Sequence, residues 1–138
     1  AYAAVQAKDI EQPYRIVFTD WNMPGMDGIA LIHKIKTNTS LENTPSCVLV
    51  TAFGREEIRQ KAEQRMTDGF MVKPINQSTL VDTLAKLLST DLERDAQIYT
   101  STETVPRLNG LRVLLAEDNE INQMLFKQIL CSFISFFF

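Results

Sequence analysis

The amino-acid sequence predicts an α/β fold in which a parallel sheet carries helices on both faces. Four apolar runs, rich in β-branched residues, are nearly continuous rather than alternating, which is typical of strands covered on both faces. Segments with helical spacing separate these runs, and alternating strands and helices favour right-handed crossovers in a doubly wound layout. The predicted strands are Arg15–Thr19, Cys47–Thr51, Phe70–Val72 and Leu111–Ala116.

Helical patterns lie before, between and after these strands. The first ends before Pro13, which cannot continue a helix, and the last has Ile121, Leu125 and Ile129 at four-residue steps. Residues 90–110 are polar and rich in turn-forming residues, which indicates a linker. The predicted helices are Ala1–Gln12, Gly28–Lys36, Arg55–Met66, Ser78–Ser89 and Asn119 to about Phe133.

Composition and charge set the broad class of protein. The chain has 138 residues, enough for one domain with a core but not comfortably for two. Its formal charge of -3 argues against nucleic acid as the main partner, because no basic surplus is available to contact phosphates. Cys47 and Cys131 lack the spacing of metal ligands and indicate a reducing compartment. Because no apolar run approaches the ~18 residues that cross a bilayer, we expect a cytoplasmic protein.

Polar side chains stand at the carboxyl end of each predicted strand. In a parallel sheet these ends share one edge, and that edge is where such folds bind ligands. We therefore expect three carboxylates, a hydroxyl and an ammonium group to meet in one crevice. The residues are Asp20, Thr51, Lys73, Glu117 and Asp118.

This set of side chains limits the chemistry of the crevice. Three carboxylates repel one another and need a cation, and hard oxygen ligands of this kind suit Mg²⁺. Once Mg²⁺ and Lys73 neutralise the cluster, one carboxylate can attack phosphorus to give an acyl phosphate. The metal, Lys73 and the Thr51 hydroxyl would then share the phosphoryl oxygens. Asp20 is the predicted nucleophile, because it stands alone while Glu117 and Asp118 form an acidic pair.

Four ordered motifs resemble those of response-regulator receiver domains: "TDWNMPGMDG", "LVTAFG", "DGFMVKPI" and "LLAEDNEINQ". More narrowly, they resemble the tandem receivers of hybrid sensor histidine kinases in two-component signal transduction. The resemblance covers most of residues 1 to about 130. It implies a three-layer, flavodoxin-like fold. It also implies a phosphoprotein of a phosphorelay, with a histidine kinase or histidine phosphotransfer domain as partner. These residues contain no kinase core, so the sequence leaves open whether the protein is an enzyme. The parent protein that the chain resembles would be a histidine kinase, which is a transferase, and it could be anchored in the inner membrane.

On the metal side of the site, the resemblance implies a role for each acid. Asp20 would be the phosphoacceptor and would also bind Mg²⁺. Asp118 would be a direct Mg²⁺ ligand, while Glu117 would act on the ion mostly through water. The backbone carbonyl of Asn22 would complete the protein ligands.

On the opposite side, the resemblance implies a switch. Thr51 would supply the switch hydroxyl and Phe70 the aromatic ring that moves with it. Lys73 would contact the phosphate. A cis peptide bond is expected before Pro74, a kind of bond that is uncommon and usually functional.

The order of the motifs departs from that of the family. Residues 1–89 resemble a receiver without its first strand and helix, while residues 111–138 resemble the first strand and helix of a following receiver. We expect residues 111–130 to complete the first receiver, giving a circularly permuted sheet that lacks one edge strand.

The linker, at about 20 residues, has an r.m.s. span of roughly 25 Å, so the strand could also enter a neighbouring molecule and form a homodimer. The Phe-rich tail 131–138 either packs on the exposed sheet or is a cloning or frameshift remnant.

Other interpretations of the same residues remain open. A pseudo-receiver would serve only as a protein-interaction module. A phosphatase-type hydrolase with an aspartyl nucleophile would need a general acid two residues after Asp20, where this chain has Asn22. Asp27 is expected to have a structural role before a helix, and His33 is expected on a helix surface. The segment Glu117–Asn119 would also make a sound helix N-terminus.

Overall fold

The computed structural model describes residues 1–52, 67–92 and 110–131. The predicted helix Arg55–Met66, most of the predicted linker and nearly all of the Phe-rich tail lie outside these residues. None of the helices in the described parts of the chain is long and apolar enough to span a bilayer.

The described strands form one parallel sheet, as the sequence predicts. Its order is β3-β2-β1-β4, and all three neighbouring pairs are parallel. The last strand in the sequence therefore lies beside the first, with Val113 opposite Ile16. This order confirms the predicted parallel α/β fold, with four strands in the part of the chain that the structure describes. The strands are β1 (Ile16–Asp20), β2 (Ser46–Thr51), β3 (Gly69–Val72) and β4 (Val113–Ala116).

Four helices are described, and their ends differ from the predicted ones by a few residues. The first is shorter than predicted because the Asp9 carboxylate accepts hydrogen bonds from the backbone N–H groups of Glu42 and Asn43, at 2.7 and 2.8 Å, and turns the chain there. The third continues into the segment predicted as a linker. The helices are α1 (Tyr2–Lys8), α2 (Gly28–Lys36), α3 (Gln77–Leu92) and α4 (Glu120–Cys131).

The sheet has a hydrophobic core on each face, which makes three layers. Alternate residues of β1 point to opposite faces, so Phe18 joins the core beneath α3 and α4, while Val17 joins the core beneath α1 and α2. Every residue of β1 is buried. This strand therefore lies at the centre of the molecule and fixes the position of Asp20 at its end.

Helix α4 buries a different face from the one its predicted stripe suggested. Ile121 and Leu125 are 76% and 41% exposed, whereas Phe126 and Leu130 are 1% and 3% exposed. The Phe126 ring lies 5.7 Å from that of Phe18, centroid to centroid, in a tilted arrangement. The four-residue spacing identified the helix correctly, and Ile129 of the predicted stripe does pack against the core, but the other two stripe residues face solvent.

Candidate functional site

Acidic residues from an early strand and a late strand of the sequence meet at the carboxyl edge of the sheet. Asp20 is the last residue of β1, and Glu117 and Asp118 directly follow β4. Because β1 and β4 are neighbouring parallel strands, their carboxyl ends lie side by side. Carboxylate oxygens of all three residues lie within 4.8 Å of one another. A motif from early in the sequence and one from late in it thus form one acidic cluster.

Lys73 supplies the positive charge of this cluster. Its Nζ lies 2.7 Å from Glu117 Oε2 and 3.0 Å from Asp20 Oδ1. The position of Lys73 is set at the end of β3, where its backbone N–H donates to the Thr51 carbonyl at 2.7 Å. The peptide bond between Lys73 and Pro74 is cis. The ammonium group therefore bridges acids from two different strands.

Exposure differs among the charged groups and determines how strongly they interact. The side chains of Glu117, Asp20 and Lys73 are 1%, 11% and 19% exposed, whereas Asp118 is exposed. Electrostatic interactions are stronger where water is excluded. We therefore expect the Lys73–Glu117 contact to dominate the electrostatics of the site.

The pKa values of the buried pair shift in the directions that keep both groups charged. Burial by itself would raise the pKa of Glu117, but hydrogen bonds from Lys73, Asn122 and the Asn119 N–H outweigh it, so this pKa is lowered. Burial by itself would lower the pKa of Lys73, but its hydrogen bonds to Glu117 and Asp20 outweigh burial and raise it. At neutral pH the pair is therefore an ammonium and a carboxylate.

The start of α4 holds the second acidic loop in place. The Asn119 side chain accepts hydrogen bonds from the backbone N–H groups of Ile121 and Asn122, at 2.9 and 3.3 Å, as a helix N-cap does. The Gln123 amide donates to the Glu117 carbonyl at 2.7 Å. The segment 117–119 therefore begins a helix and presents two acids to the crevice at the same time. The contribution of Gln123 could not be predicted from the sequence, because nothing in its spacing indicates a contact to the loop.

The loop after Asp20 is held by close packing against α2. The backbone N–H of Trp21 donates to Val50 at 2.8 Å, and that of Gly28 donates to Trp21 at 2.9 Å. A Cβ atom at Gly28 would lie only 2.3 Å from the Asp20 carbonyl oxygen. Only glycine fits at this position, and its place beside Asp27 in a turn was the only sequence signal for it.

Three side chains on the loop after β1 and on α2 lie where the sequence predicted them. Asp27 caps α2 by accepting a hydrogen bond from the Ala30 N–H at 2.6 Å, in keeping with a structural role. Asn22 is exposed on the loop, two residues after Asp20. His33 is exposed on α2, on a helix rather than at the sheet edge where the acids meet.

Thr51 and Phe70 lie on the β2 and β3 side of the crevice. Thr51 ends β2 and is 1% exposed. Phe70 is half-buried in β3, opposite Leu49, and it packs against the core on the α1 and α2 face. The buried Thr51 thus ends β2 beside Val72, whereas Phe70 lies two residues before Val72 on the neighbouring strand.

A comparison with protein families identifies this arrangement. The family description "Response regulator receiver domain" matches residues 1–85, more than half of the chain. The chain belongs to the response regulator receiver family. The matched residues contain Asp20, Thr51 and Lys73, whereas the receiver's second acidic loop, at Glu117 and Asp118, lies outside them.

Two curated relatives of this receiver are chemotaxis proteins. The chain is 38% identical over 74 residues to chemotaxis protein CheY-3 of Vibrio cholerae, covering 54% of this chain and 56% of that protein. It is 32% identical over 74 residues to CheY of Pseudomonas aeruginosa, covering 54% of this chain and 59% of that protein. The chain thus spans little more than half the length of these relatives.

Solved structures with a similar fold include several receivers. Chemotaxis protein CheY4 of Vibrio cholerae aligns with a TM-score of 0.53 and 26% identity, covering 62% of this chain and 68% of that one. The receiver of a signal transduction histidine kinase from Syntrophus aciditrophicus aligns with a TM-score of 0.51 and 26% identity, covering 72% of this chain and 73% of that one. A third structure is the receiver of a Pseudomonas aeruginosa sensor histidine kinase, with a magnesium ion coordinated in its active site cleft. It aligns with a TM-score of 0.50 and 20% identity, covering 63% of this chain and 70% of that one. The last of these likenesses shows the fold alone.

Proposed function

We propose that this receiver accepts a phosphoryl group on Asp20 from a phosphohistidine in a two-component phosphorelay. The donor would be a histidine kinase or a histidine phosphotransfer domain. One observation carries the proposal: Asp20 shares a crevice with Glu117 and Asp118, whose carboxylate oxygens lie within 4.8 Å of its own. Lys73 contacts two members of the cluster.

The donor set fits a magnesium ion. Mg²⁺ prefers hard oxygen ligands at about 2.1 Å and usually keeps several waters. The three carboxylates, with oxygens within 4.8 Å of one another, could hold one such ion, two of them directly and Glu117 through a bound water. Asp20, Asp118 and the backbone carbonyl of Asn22 would be the direct protein ligands. When bound, the ion would neutralise the acids and polarise a phosphoryl oxygen. A Pseudomonas aeruginosa receiver that shares the fold has a magnesium ion coordinated in its active site cleft, but the assignment here depends on the carboxylates of this chain.

Asp20 has the surroundings of a nucleophile. In the transfer, an Asp20 carboxylate oxygen forms a bond to phosphorus while the phosphorus–nitrogen bond of the phosphohistidine breaks. The electron pair of that bond stays on the imidazole nitrogen, and an acyl phosphate remains on Asp20. Lys73 already donates toward Asp20 Oδ1 at 3.0 Å, so its ammonium can stabilise charge on a phosphoryl oxygen attached there.

Thr51 and Phe70 would convert this modification into a change of surface. The Thr51 hydroxyl would move toward the phosphoryl oxygens, and Phe70 would turn inward into the space beside it. Such a step is a shift between two states, biased by the new contacts. The half-buried position of Phe70 in β3 supports the proposal, because a ring that is only partly packed can change rotamer at modest cost.

The proposal is tested by phosphorylation with a small donor. Incubation with Mg²⁺ and acetyl phosphate should add one labile phosphoryl group by intact mass, and Asp20→Asn should abolish the gain. Asp82→Asn, at an exposed position on α3, is the matched control and should label normally. Labelling of Asp20→Asn at the wild-type level would contradict the assignment, and absence of labelling in all three proteins would favour a pseudo-receiver.

A hydrolase is the weaker alternative. The position two residues after the nucleophile is Asn22, which cannot act as a general acid. Steady release of phosphate from unrelated monoesters, lost in Asp20→Asn, would nonetheless favour it.

We also propose that residues 1–89 and 111–138 derive from consecutive receivers of a hybrid sensor histidine kinase, joined by the linker 90–110. The restriction of the family match to residues 1–85 supports two separate origins. A synthetic peptide of residues 110–131, added to a protein of residues 1–92, should then restore Mg²⁺ binding. If the peptide does not bind while the protein of residues 1–92 is folded, strand 111–116 is not equivalent to the first strand of the receiver in residues 1–89.

A further inference from the structure

The aliphatic residues of β4 do not by themselves fix how this strand is aligned with β1. Val113 and Leu115 pack against the core beneath α3 and α4, whereas Leu114 and Ala116 belong with the core beneath α1 and α2. A slip of one residue moves every side chain of a strand to the opposite face of the sheet. Within β4 such a slip would only exchange one aliphatic face for another. The register must therefore be decided by contacts outside these four residues.

The acidic site depends on this register. Ala116 lies opposite Thr19, so Glu117 follows at the level of Asp20. In a parallel sheet one residue corresponds to roughly 3.3 Å along the strand. The carboxylate oxygens of the acidic cluster lie within 4.8 Å of one another, and a slip that also turned the side chains to the other face would separate them. Contacts that hold the register of β4 thus also hold the acids in place.

Arg112 holds the opposite end of β4, directly before the first residue of the strand. Its guanidinium carbon lies 4.9 Å from the centre of the Tyr14 ring, and its Nη1 donates to the Gln12 side chain. Its backbone carbonyl accepts hydrogen bonds from the N–H groups of Arg15 and Ile16, at 2.9 and 3.4 Å. Both the side chain and the backbone of this one residue therefore contact the segment that leads into β1.

The contacts of Arg112 distinguish the observed register from its neighbours. A guanidinium group is attracted to an aromatic ring within about 6 Å of the ring centroid. A slip of one residue would move the Arg112 backbone by roughly 3.3 Å and turn its side chain to the other face of the sheet. The contacts to Tyr14 and Gln12 would then be lost. In one direction the slip would also place Glu117 at the buried position of Ala116, which is unfavourable for a charged group.

We propose that Arg112 is a positioning residue for the acidic site at the far end of β4. By anchoring the amino end of the strand to the Tyr14 ring, it fixes the alignment of β4 with β1. The acidic pair that follows β4 is thereby held level with Asp20. The consequence for metal binding rests on the proposed Mg²⁺ site, whereas the effect on register does not depend on an ion.

The Mg²⁺ affinity of the full chain, followed by the fluorescence of Trp21, provides the first test. Removal of a positive charge would by itself favour the binding of a cation. Arg112→Ala should nevertheless weaken Mg²⁺ binding by at least about tenfold, a loss typical of residues that orient metal ligands. Arg112→Lys keeps a cation that can lie over the Tyr14 ring, so its affinity should stay within about threefold of the wild type.

Lys127→Ala is the matched control for charge. It removes a positive charge from an exposed position on α4, and it should bind Mg²⁺ as the wild type does. Affinities are compared under conditions where circular dichroism shows each variant to be folded, so that unfolding does not account for lost binding. Wild-type Mg²⁺ affinity in folded Arg112→Ala would overturn the proposal, because a merely structural role predicts that result.

A double-mutant cycle in a chelator tests the register without metal. Arg112 and Glu117 flank opposite ends of β4, and distant residues that act independently have additive effects on stability. If Arg112 aligns Glu117 with Lys73, the shift in urea midpoint caused by Glu117→Gln should fall by about half or more in the Arg112→Ala background. Additive shifts would overturn the proposal. Failure of the wild type to bind Mg²⁺ would contradict the proposed function alone, since this cycle needs no metal.

Discussion

Strands β1 and β4 present acids to the same crevice from very different surroundings. β1 is paired on both sides and fully buried, so Asp20 ends a strand of the sheet's interior. β4 is paired on one side within the described residues and is mostly half-buried, so Glu117 and Asp118 stand on an edge. The nucleophile is thus held by the sheet itself, whereas the acidic pair depends on α4 and on Lys73. Damage to the β4 side should therefore disturb the site more easily.

The largest effect should come from the contact that fastens α4 to the sheet. Phe126→Ala removes a side chain that is 1% exposed and packs on Phe18, and we expect a loss of about 3–5 kcal/mol in the free energy of unfolding. Ile121→Ala, on the exposed face of the same helix, should change it by less than about 0.5 kcal/mol. Urea unfolding measures both, and equal losses would show that α4 does not depend on this contact.

On the β1 side, a single methyl group should be disruptive. Gly28→Ala would place a Cβ 2.3 Å from the Asp20 carbonyl oxygen, and we expect a cost of about 1–3 kcal/mol because backbone must move. Gly69→Ala is the control, since its nearest neighbour would be a Val48 methyl at 3.2 Å. If the two variants unfold at the same urea concentration, the loop after Asp20 is looser than described.

The two acids on the β4 side should differ in their effect on stability. Glu117→Gln weakens a buried contact to Lys73, and we expect a loss of about 1–2 kcal/mol without Mg²⁺. Asp118→Asn, at an exposed position, should change stability by less than about 0.5 kcal/mol. Chemical unfolding in a chelator measures the difference, and a larger loss in Asp118→Asn would reverse the assignment of the buried ion pair.

Acidification should remove the effect of Glu117→Gln. The pKa of Glu117 is lowered from its ordinary value of 4.5 in the folded protein. Its contribution is therefore present above that value and is lost as the pH falls through the folded pKa. The unfolding free energies of the wild type and Glu117→Gln should converge as the pH falls from 4.5 through the lowered folded pKa. A constant difference down to lower pH would mean that charge is not the cause.

The smallest effect concerns the two free thiols. Cys47 on β2 is buried and Cys131 at the end of α4 is exposed, and burial raises the pKa of the Cys47 thiol to about 12. A thiol reagent at pH 8 should label Cys131 rapidly and Cys47 only through opening of the sheet. The contribution of the protonated Cys47 thiol to the free energy of unfolding is complete below pH 9.0. It is lost as the pH rises toward the folded pKa of about 12. Equal labelling rates would contradict the burial of β2.

Much of the fold and of the site could be predicted from local patterns. Continuous apolar runs identified the strands, and the residue that follows each strand identified Asp20, Lys73, Glu117 and Asp118 as neighbours. The position of β4 beside β1 came from the family resemblance, since spacing alone does not fix strand order.

Other features depend on tertiary contacts that spacing does not encode. The end of α1 is set by hydrogen bonds that the Asp9 carboxylate accepts from Glu42 and Asn43, far along the chain. The buried face of α4 is set by what lies beneath it, so Phe126 packs on the sheet and Ile121 does not. The fit of Gly28 against the Asp20 carbonyl became evident only once β1 and α2 were placed together.

The most direct test is a Mg²⁺ titration followed by the fluorescence of Trp21, the single tryptophan, next to Asp20. Asp20→Asn and Asp118→Asn should each weaken Mg²⁺ binding by at least about tenfold, and the double variant by less than the product of the two, because coupled ligands are not additive. Asp82→Asn should bind as the wild type does. If Asp118→Asn leaves Mg²⁺ affinity unchanged, or if the two effects multiply independently, the acids of β1 and β4 do not form one site.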